Sequence, residues 1–245
     1  MIRFLILLGA MMALPELAVA QQFPTDLLNA PIDGSAAAWI IRTFGLLTVL
    51  SIAPGILIMV TSFPRFVISF SILRSGMGLA TTPSNMILLS LALFMTFYVM
   101  APTFERAWKD GVDPLLQSQI TESEAVERIA EPFRTFMMAN TRDKDIKLFV
   151  DIAEERGQAV FTGDKLDYRV LVPAFMISEI RRGFEIGFLI ILPFLVIDMI
   201  VATITMAMGM MMLPPTSISL PFKILFFVLI DGWNLLVGSL VRSFS

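Results

Sequence analysis

Three ionisable side chains, Asp198, Lys223 and Asp231, fall inside or against long apolar runs. A charge at such depth costs about 3 kcal/mol or more unless it faces protein or water. Three kinds of chemistry fit them. Two aspartates on adjacent helices can share one proton, as in an aspartyl protease dyad. The known intramembrane proteases of that type place Gly before Asp, whereas Asp231 precedes Gly232 here. The same groups can relay ions in a small-solute transporter, which predicts inverted repeats that the sequence does not display. They can also form ion pairs between subunits packed against protein rather than lipid, and this third reading is favoured over a monomeric four-helix bundle with a few tolerated charges. Glu179, Arg181, Arg182 and Glu185 crowd the start of the same region, with both arginines one helical turn before Glu185.

The composition narrows these options. The chain has no Cys and no His, which removes thiolate chemistry, disulfides, the usual zinc ligands and the commonest general base together. No phosphate-binding loop is present, so energy for any transport comes from elsewhere and no cofactor is expected. Of the 245 residues, 56% are hydrophobic and 16% charged, against about 25% charged in a soluble domain. A net charge of -3, without a basic run interleaved with aromatics, gives no reason to expect nucleic acid as a partner. The reading is an all-α, polytopic membrane protein that is not an enzyme.

The elements that position these residues follow from the hydropathy pattern. Residues 1–20 read as a cleavable signal peptide, with Arg3, a short apolar run from Phe4 to Leu14, and Ala18 and Ala20 framing an A-x-A cleavage site. Residues 21–102 hold two apolar segments, about Trp39–Val60 and Met86–Ala101, the second ending at Pro102. Residues 103–170 change character abruptly and carry 24 of the 39 charged side chains, with helix signals throughout. Residues 171–245 hold two further segments, about Phe184–Met208 and Phe222–Val241, joined by a Met-rich turn. With the mature N-terminus outside, the basic Arg65–Arg74 stretch falls inside and the charged module outside. Lys223 agrees with that topology, whereas Arg181 and Arg182, at the outer end of their segment, do not.

Met206, Met208, Met210, Met211 and Met212 place five methionines within seven residues, just before Pro214-Pro215. A turn offers little core to fill, and unbranched thioethers make a soft apolar surface that repacks around different partners. Copies of this turn converging on one axis would form a seal that blocks ions yet yields to a passing chain.

Several runs resemble the FliP family. They are Pro173–Glu179 with Gly183–Gly187, then Pro193–Asp198, Gly209–Pro215, Ser219–Lys223 and Asp231–Trp233. Thr61–Arg65, Thr82–Asn85, Glu131–Arg134 and Thr141–Asp145 extend the match over nearly all of the mature chain, with Pro64 a departure from the polar residue common there. The resemblance implies a core subunit of the flagellar type III export gate, a pentamer forming a helical, cone-like assembly with FliQ and FliR. It works alongside FlhB and FlhA and passes unfolded export substrates. The implied location is the bacterial inner membrane at the flagellar basal body, with a periplasm-facing module. The resemblance further implies that Met210, Met211 and Met212 line the closed pore. It sets Glu179, Phe136 and Phe149 near subunit contacts or the upper channel, and apolar hairpins raised above the bilayer plane would explain Arg181 and Arg182. Injectisome export proteins share the C-terminal motifs and form the alternative reading.

Overall fold

The computed structural model describes residues 34–163, 165–209 and 214–244. The expected cleavage residues Ala18 and Ala20, and the run Met210–Met212, lie outside the described residues. Helix α1 spans Gly34–Met59. Ile52–Ser245 form one compact unit, which holds α2 (Phe63–Gly76) and α3 (Asn85–Ala107), then a π-helical turn (Trp108–Val112) and α4 (Asp113–Leu116). The charged module follows with α5 (Glu122–Asn140), α6 (Asp143–Glu155) and an antiparallel pair, β1 (Phe161–Thr162) and β2 (Lys165–Leu166). Helix α7 runs forty residues from Tyr168 to Ala207, and α8 (Pro215–Leu229) and α9 (Gly232–Arg242) complete the unit.

The stretch read as a basic linker is α2. Pro64 stands in its first turn, where a missing N–H costs nothing and the fixed φ suits the helix. Arg65, Phe66, Ser69, Phe70 and Leu73 then recur on one buried face. That face meets α7 where its glycines fall. A Cβ on Gly183 would stand 3.0 Å from the Ile68 Cβ and 3.3 Å from the Arg65 carbonyl oxygen, and one on Gly187 would stand 2.9 Å from Ile72 Cδ1. The Ser69 hydroxyl donates to the Gly183 carbonyl at 3.1 Å. The Gly-x-x-x-Gly face is therefore filled from within the chain.

Three apolar clusters hold the unit. Phe66, Phe70 and Leu73 of α2 join Leu88, Phe194, Phe227, Leu236 and Leu240. Met100, Phe133, Met137, Leu171 and Phe175 form a second, seating the module on α3 and α7. Ala153, Val160 and Val170 form a third, small one. Capping is local and legible. Ser84 accepts from the Ile87 N–H at 3.4 Å at the start of α3, and Thr121 accepts from the Glu124 N–H at 3.3 Å at the start of α5.

Three boundaries differ from the sequence reading. Helix α3 does not stop at Pro102 but runs through it to Ala107. Helix α7 starts sixteen residues before the apolar segment expected at Phe184. At 1.5 Å per residue it is roughly 60 Å long, about twice the thickness of a bilayer's hydrocarbon core. Phe184–Ala207 alone is long enough to cross that core, with Arg181 and Arg182 in the part of the helix left over. The last apolar segment, read as a single helix, is α8 and α9 with a 63° bend between them. Among the described residues, Asn85–Leu116 and Tyr168–Ala207 are long and apolar enough to cross a membrane, and the bent pair qualifies as a third span if taken together.

Candidate functional site

Helix α7 carries most of the charged positions singled out in the sequence, and different neighbours take each of them. Glu179 and Arg65 are both fully buried. Arg65 Nε donates to Glu179 Oε2 at 2.9 Å, and Nη2 donates to Oε1, so the guanidinium and carboxylate meet as a two-pronged pair. Nη1 turns the other way and donates to the Ser243 carbonyl at 3.0 Å and the Ser243 hydroxyl at 2.7 Å. Arg65 was not among the residues read as a buried pair.

One residue earlier, Ser178 faces the module. Its hydroxyl donates to Asp145 Oδ2 at 2.5 Å and accepts from the Arg142 N–H at 3.2 Å, while Arg142 Nε also donates to Asp145 at 2.9 Å. Burial works against the Asp145 charge. The hydrogen bonds from Ser178 and Arg142, with the Arg142 and Arg181 charges nearby, outweigh it and hold the carboxyl below its ordinary value of 3.8. A lowered folded-state value means that this cluster adds stability above the unfolded value and loses it as the pH falls through the folded one. Asp145→Asn should therefore be less stable than the parent at about pH 6, with the gap shrinking toward about pH 3. Thermal unfolding of both chains across that range checks it, and a gap independent of pH would exclude the charged form as the source.

Arg181 and Arg182 both reach Glu185, at 2.8 and 3.4 Å, and all three are exposed. Exposed pairs of this kind contribute about 0.3–0.5 kcal/mol each, so this trio decides little about the fold.

At the far end of α7, Asp198 accepts from Lys223 Nζ at 2.6 Å through Oδ2 and from the Ser219 hydroxyl at 2.5 Å through Oδ1. Lys223 Nζ also donates to the Gly76 carbonyl at the end of α2, at 3.1 Å. The sequence reading set Asp198, Lys223 and Asp231 pairing between subunits; Asp198 and Lys223 meet within one chain. Asp231 is not in the middle of a helix. It stands exposed at the α8–α9 bend in the left-handed conformation, φ 51°, which Asp tolerates better than most residues. With both Asp198 oxygens bonded to Ser219 and Lys223, the arrangement is an ion pair joining three helices rather than a proton-sharing dyad.

Between α7 and α8, beside that pair, lies an apolar groove of about 410 Å³ whose walls include Ile197, Ile204, Met208 and Phe222. Met206 and Met208, the described members of the methionine cluster, are exposed. Phe136 meets Phe175 edge-on at 5.9 Å, and Phe149 is half-buried against the third cluster. Ser219 and Ser178 are the polar partners that the sequence did not flag, since a lone serine in an apolar run carries no distinctive spacing.

Residues 46–240 match the model of the FliP family. The chain is 83% identical over 245 residues to the flagellar biosynthetic protein FliP of Agrobacterium fabrum, covering all of both chains. It is 78% identical over 244 residues to that of Rhizobium meliloti, again over all of both. It is 49% identical over 200 residues to that of Bacillus subtilis, spanning 81% of this chain and 89% of the relative.

Proposed function

The chain belongs to the FliP family, and on that premise we propose that it is a core subunit of the flagellar type III protein export gate. In this reading five copies build, with FliQ and FliR, the channel through which unfolded flagellar subunits leave the cell. FlhB and FlhA work alongside it. The assembly sits in the inner membrane at the flagellar basal body, with residues 1–20 removed and residues 103–170 facing the periplasm. Phe136 and Phe149 lie at subunit contacts or along the upper channel, whereas Glu179, wholly buried against Arg65, serves the fold of each copy. Met210, Met211 and Met212, flanked by Met206 and Met208, form the seal.

One observation carries the reading. The buried charges of the α7–α8 hairpin are satisfied inside the chain, while the surface around its turn is apolar: an uncharged groove beside exposed Met206 and Met208. Such a surface suits a yielding contact between copies.

The test is removal of Met210–Met212 from the full chain, expressed with FliQ and FliR. The complex should still assemble, counted by native mass spectrometry of the detergent-extracted particle. Membranes carrying it should conduct ions that the parent complex excludes. Unchanged conductance would sink the seal, and a chain that copurifies with neither partner would sink the assembly.

A further inference from the structure

Helix α3 sorts its side chains by size. Leu88, Ala92, Thr96, Met100 and Ala107 recur on its buried face, with the small Ala92 and Thr96 at its middle. Ile87, Phe94, Phe97 and Tyr98 stand exposed on the opposite face, with Ser90 and Ala101 between them. In a membrane, helices that meet other helices carry small residues at the contact, because apolar burial alone drives no association there. This chain follows that rule where its own helices meet, at Gly76, Gly183 and Gly187. The exposed face of α3 presents three aromatic rings instead, and the helix has no glycine.

The polar groups beside this face are turned away from it. An apolar groove of about 270 Å³ runs along its flank, with Leu57, Ile58, Leu93 and Phe97 among its walls. Two hydroxyls also line it. Thr61 donates to the Ile58 carbonyl at 3.1 Å and Thr96 to the Ala92 carbonyl at 2.7 Å, each within its own helix or the turn after it. The groove therefore suits an occupant that makes no hydrogen bonds, as an acyl chain does.

The length agrees with the same partner. From Asn85 to Phe104 the helix carries no charged side chain. At 1.5 Å per residue that stretch rises about 30 Å, the thickness of a bilayer's hydrocarbon core. Polar groups mark both ends. At one, Arg74 donates to the Asn85 amide oxygen and, at 3.4 Å, to the Pro83 carbonyl. At the other, exposed Glu105 and Arg106 are followed by Trp108, exposed in the π-helical turn. An indole has an apolar body and one N–H donor, which suits the headgroup boundary.

We propose that this face of α3 is the lipid-facing side of the chain. Acyl chains lie against Phe94, Phe97 and Tyr98, and Trp108 sits at headgroup level on the module side. The inference rests on the membrane reading of the fold and is independent of the methionine seal. Within the gate proposed above, it turns each copy so that α3 lies on the outside of the ring.

The chain has no Cys, so single substitutions place one spin label each. Phe94→Cys, Tyr98→Cys and Trp108→Cys sample the face from its middle to its module end. Val126→Cys, exposed on α5, is the aqueous reference. The full chain is read in bilayers of phosphatidylethanolamine and phosphatidylglycerol, alone and again assembled with FliQ and FliR. Collisions of each label with oxygen, which dissolves in hydrocarbon, are compared with those of a water-soluble nickel chelate. The oxygen-to-nickel ratio should be highest at position 94, lower at 98, lower again at 108 and lowest at 126. That order should survive assembly. Few collisions with either reagent at 94 and 98, in either preparation, would mean that protein covers the face and overturns the proposal. A ratio at 94 no higher than at 126 would put the face in water and overturns it too. A chain that joins neither FliQ nor FliR counts against the gate, while the ratios from the chain alone still decide the lipid face.

Discussion

Glu179→Ala is expected to lower the stability of the solubilised chain by about 3–5 kcal/mol, the usual cost of breaking a buried ion pair from one side. The variant leaves the Arg65 guanidinium, 1% exposed, with Ser243 and the Phe244 ring as its remaining partners. Nε and Nη2 then face no acceptor in a place that water does not reach. Glu179→Gln keeps one acceptor and loses the charge, so about half the effect should remain, in line with roughly 1.5–3 kcal/mol for a hydrogen bond to a charged group. Arg65→Lys should fare little better than the alanine variant, since an ammonium cannot span both carboxylate oxygens and Ser243 at once. The informative chain is the double variant Arg65→Met with Glu179→Leu. It removes both charges together and should recover most of the loss, because the desolvation cost disappears with the pair. Thermal unfolding followed by circular dichroism measures all four. A single-variant loss below about 1 kcal/mol, or a double variant no better than the single, would refute this account of the pair.

Much of this arrangement was legible in the sequence, and the parts that were not have identifiable causes. Hydropathy marked the apolar segments, and charge density marked residues 103–170, because both are properties of runs. Helix ends were less legible where proline stood. Pro102 read as a stop, yet α3 carries it internally, as α5, α7 and α8 carry Pro132, Pro173, Pro193 and Pro221. Pro102 and Pro221 are exposed, so there the helix continues on the hydrogen bonds of its other residues, with the one N–H of each proline missing. Apolar residues continue on either side of Asp231, which makes it look like a charge in the middle of a span. The Asp231-Gly232 dipeptide was the turn signal that outranked them. Counting charges in a stretch without acids makes Arg65 a cytoplasmic cation. Its partner stands 114 residues away, a separation that no local pattern reports.

The Asp198–Lys223 pair had a readable signal of another kind. The two residues lie 25 apart, and the midpoint falls in the Met210–Met212 run. In an antiparallel hairpin turning there, residues equidistant from the turn come opposite one another. The register was therefore implied by the Gly and Pro residues that mark the turn, although the sequence reading assigned the pairing between subunits.

That geometry predicts an asymmetry between the two partners. Lys223 is 4% exposed and Asp198 28% exposed by side chain. Asp198→Ala strands a buried ammonium with the Gly76 carbonyl as its remaining acceptor, and should cost about 3–4 kcal/mol, within the range for a buried pair broken from one side. Lys223→Met leaves a carboxylate that keeps the Ser219 hydroxyl and is only partly buried, so the loss should be nearer about 1–2 kcal/mol. Exchanging the charges, Asp198→Lys with Lys223→Asp, tests more than Coulomb attraction. A carboxylate at 223 would face the Gly76 carbonyl, which can only accept, whereas the Ser219 hydroxyl can turn to accept from an ammonium at 198 and donate to the Thr216 carbonyl. The Gly76 carbonyl is set for the native orientation, so the exchange should not rescue stability and should fall close to Asp198→Ala. Thermal unfolding of the three chains in one detergent measures this directly. Equal losses for the two single variants, or a rescued exchange, would mean that the charges alone hold the hairpin and that the Gly76 carbonyl is a bystander. The predicted failure follows from that neutral group: an ion pair in an apolar hairpin is oriented by a hydrogen bond made elsewhere, here from Lys223 to the end of α2.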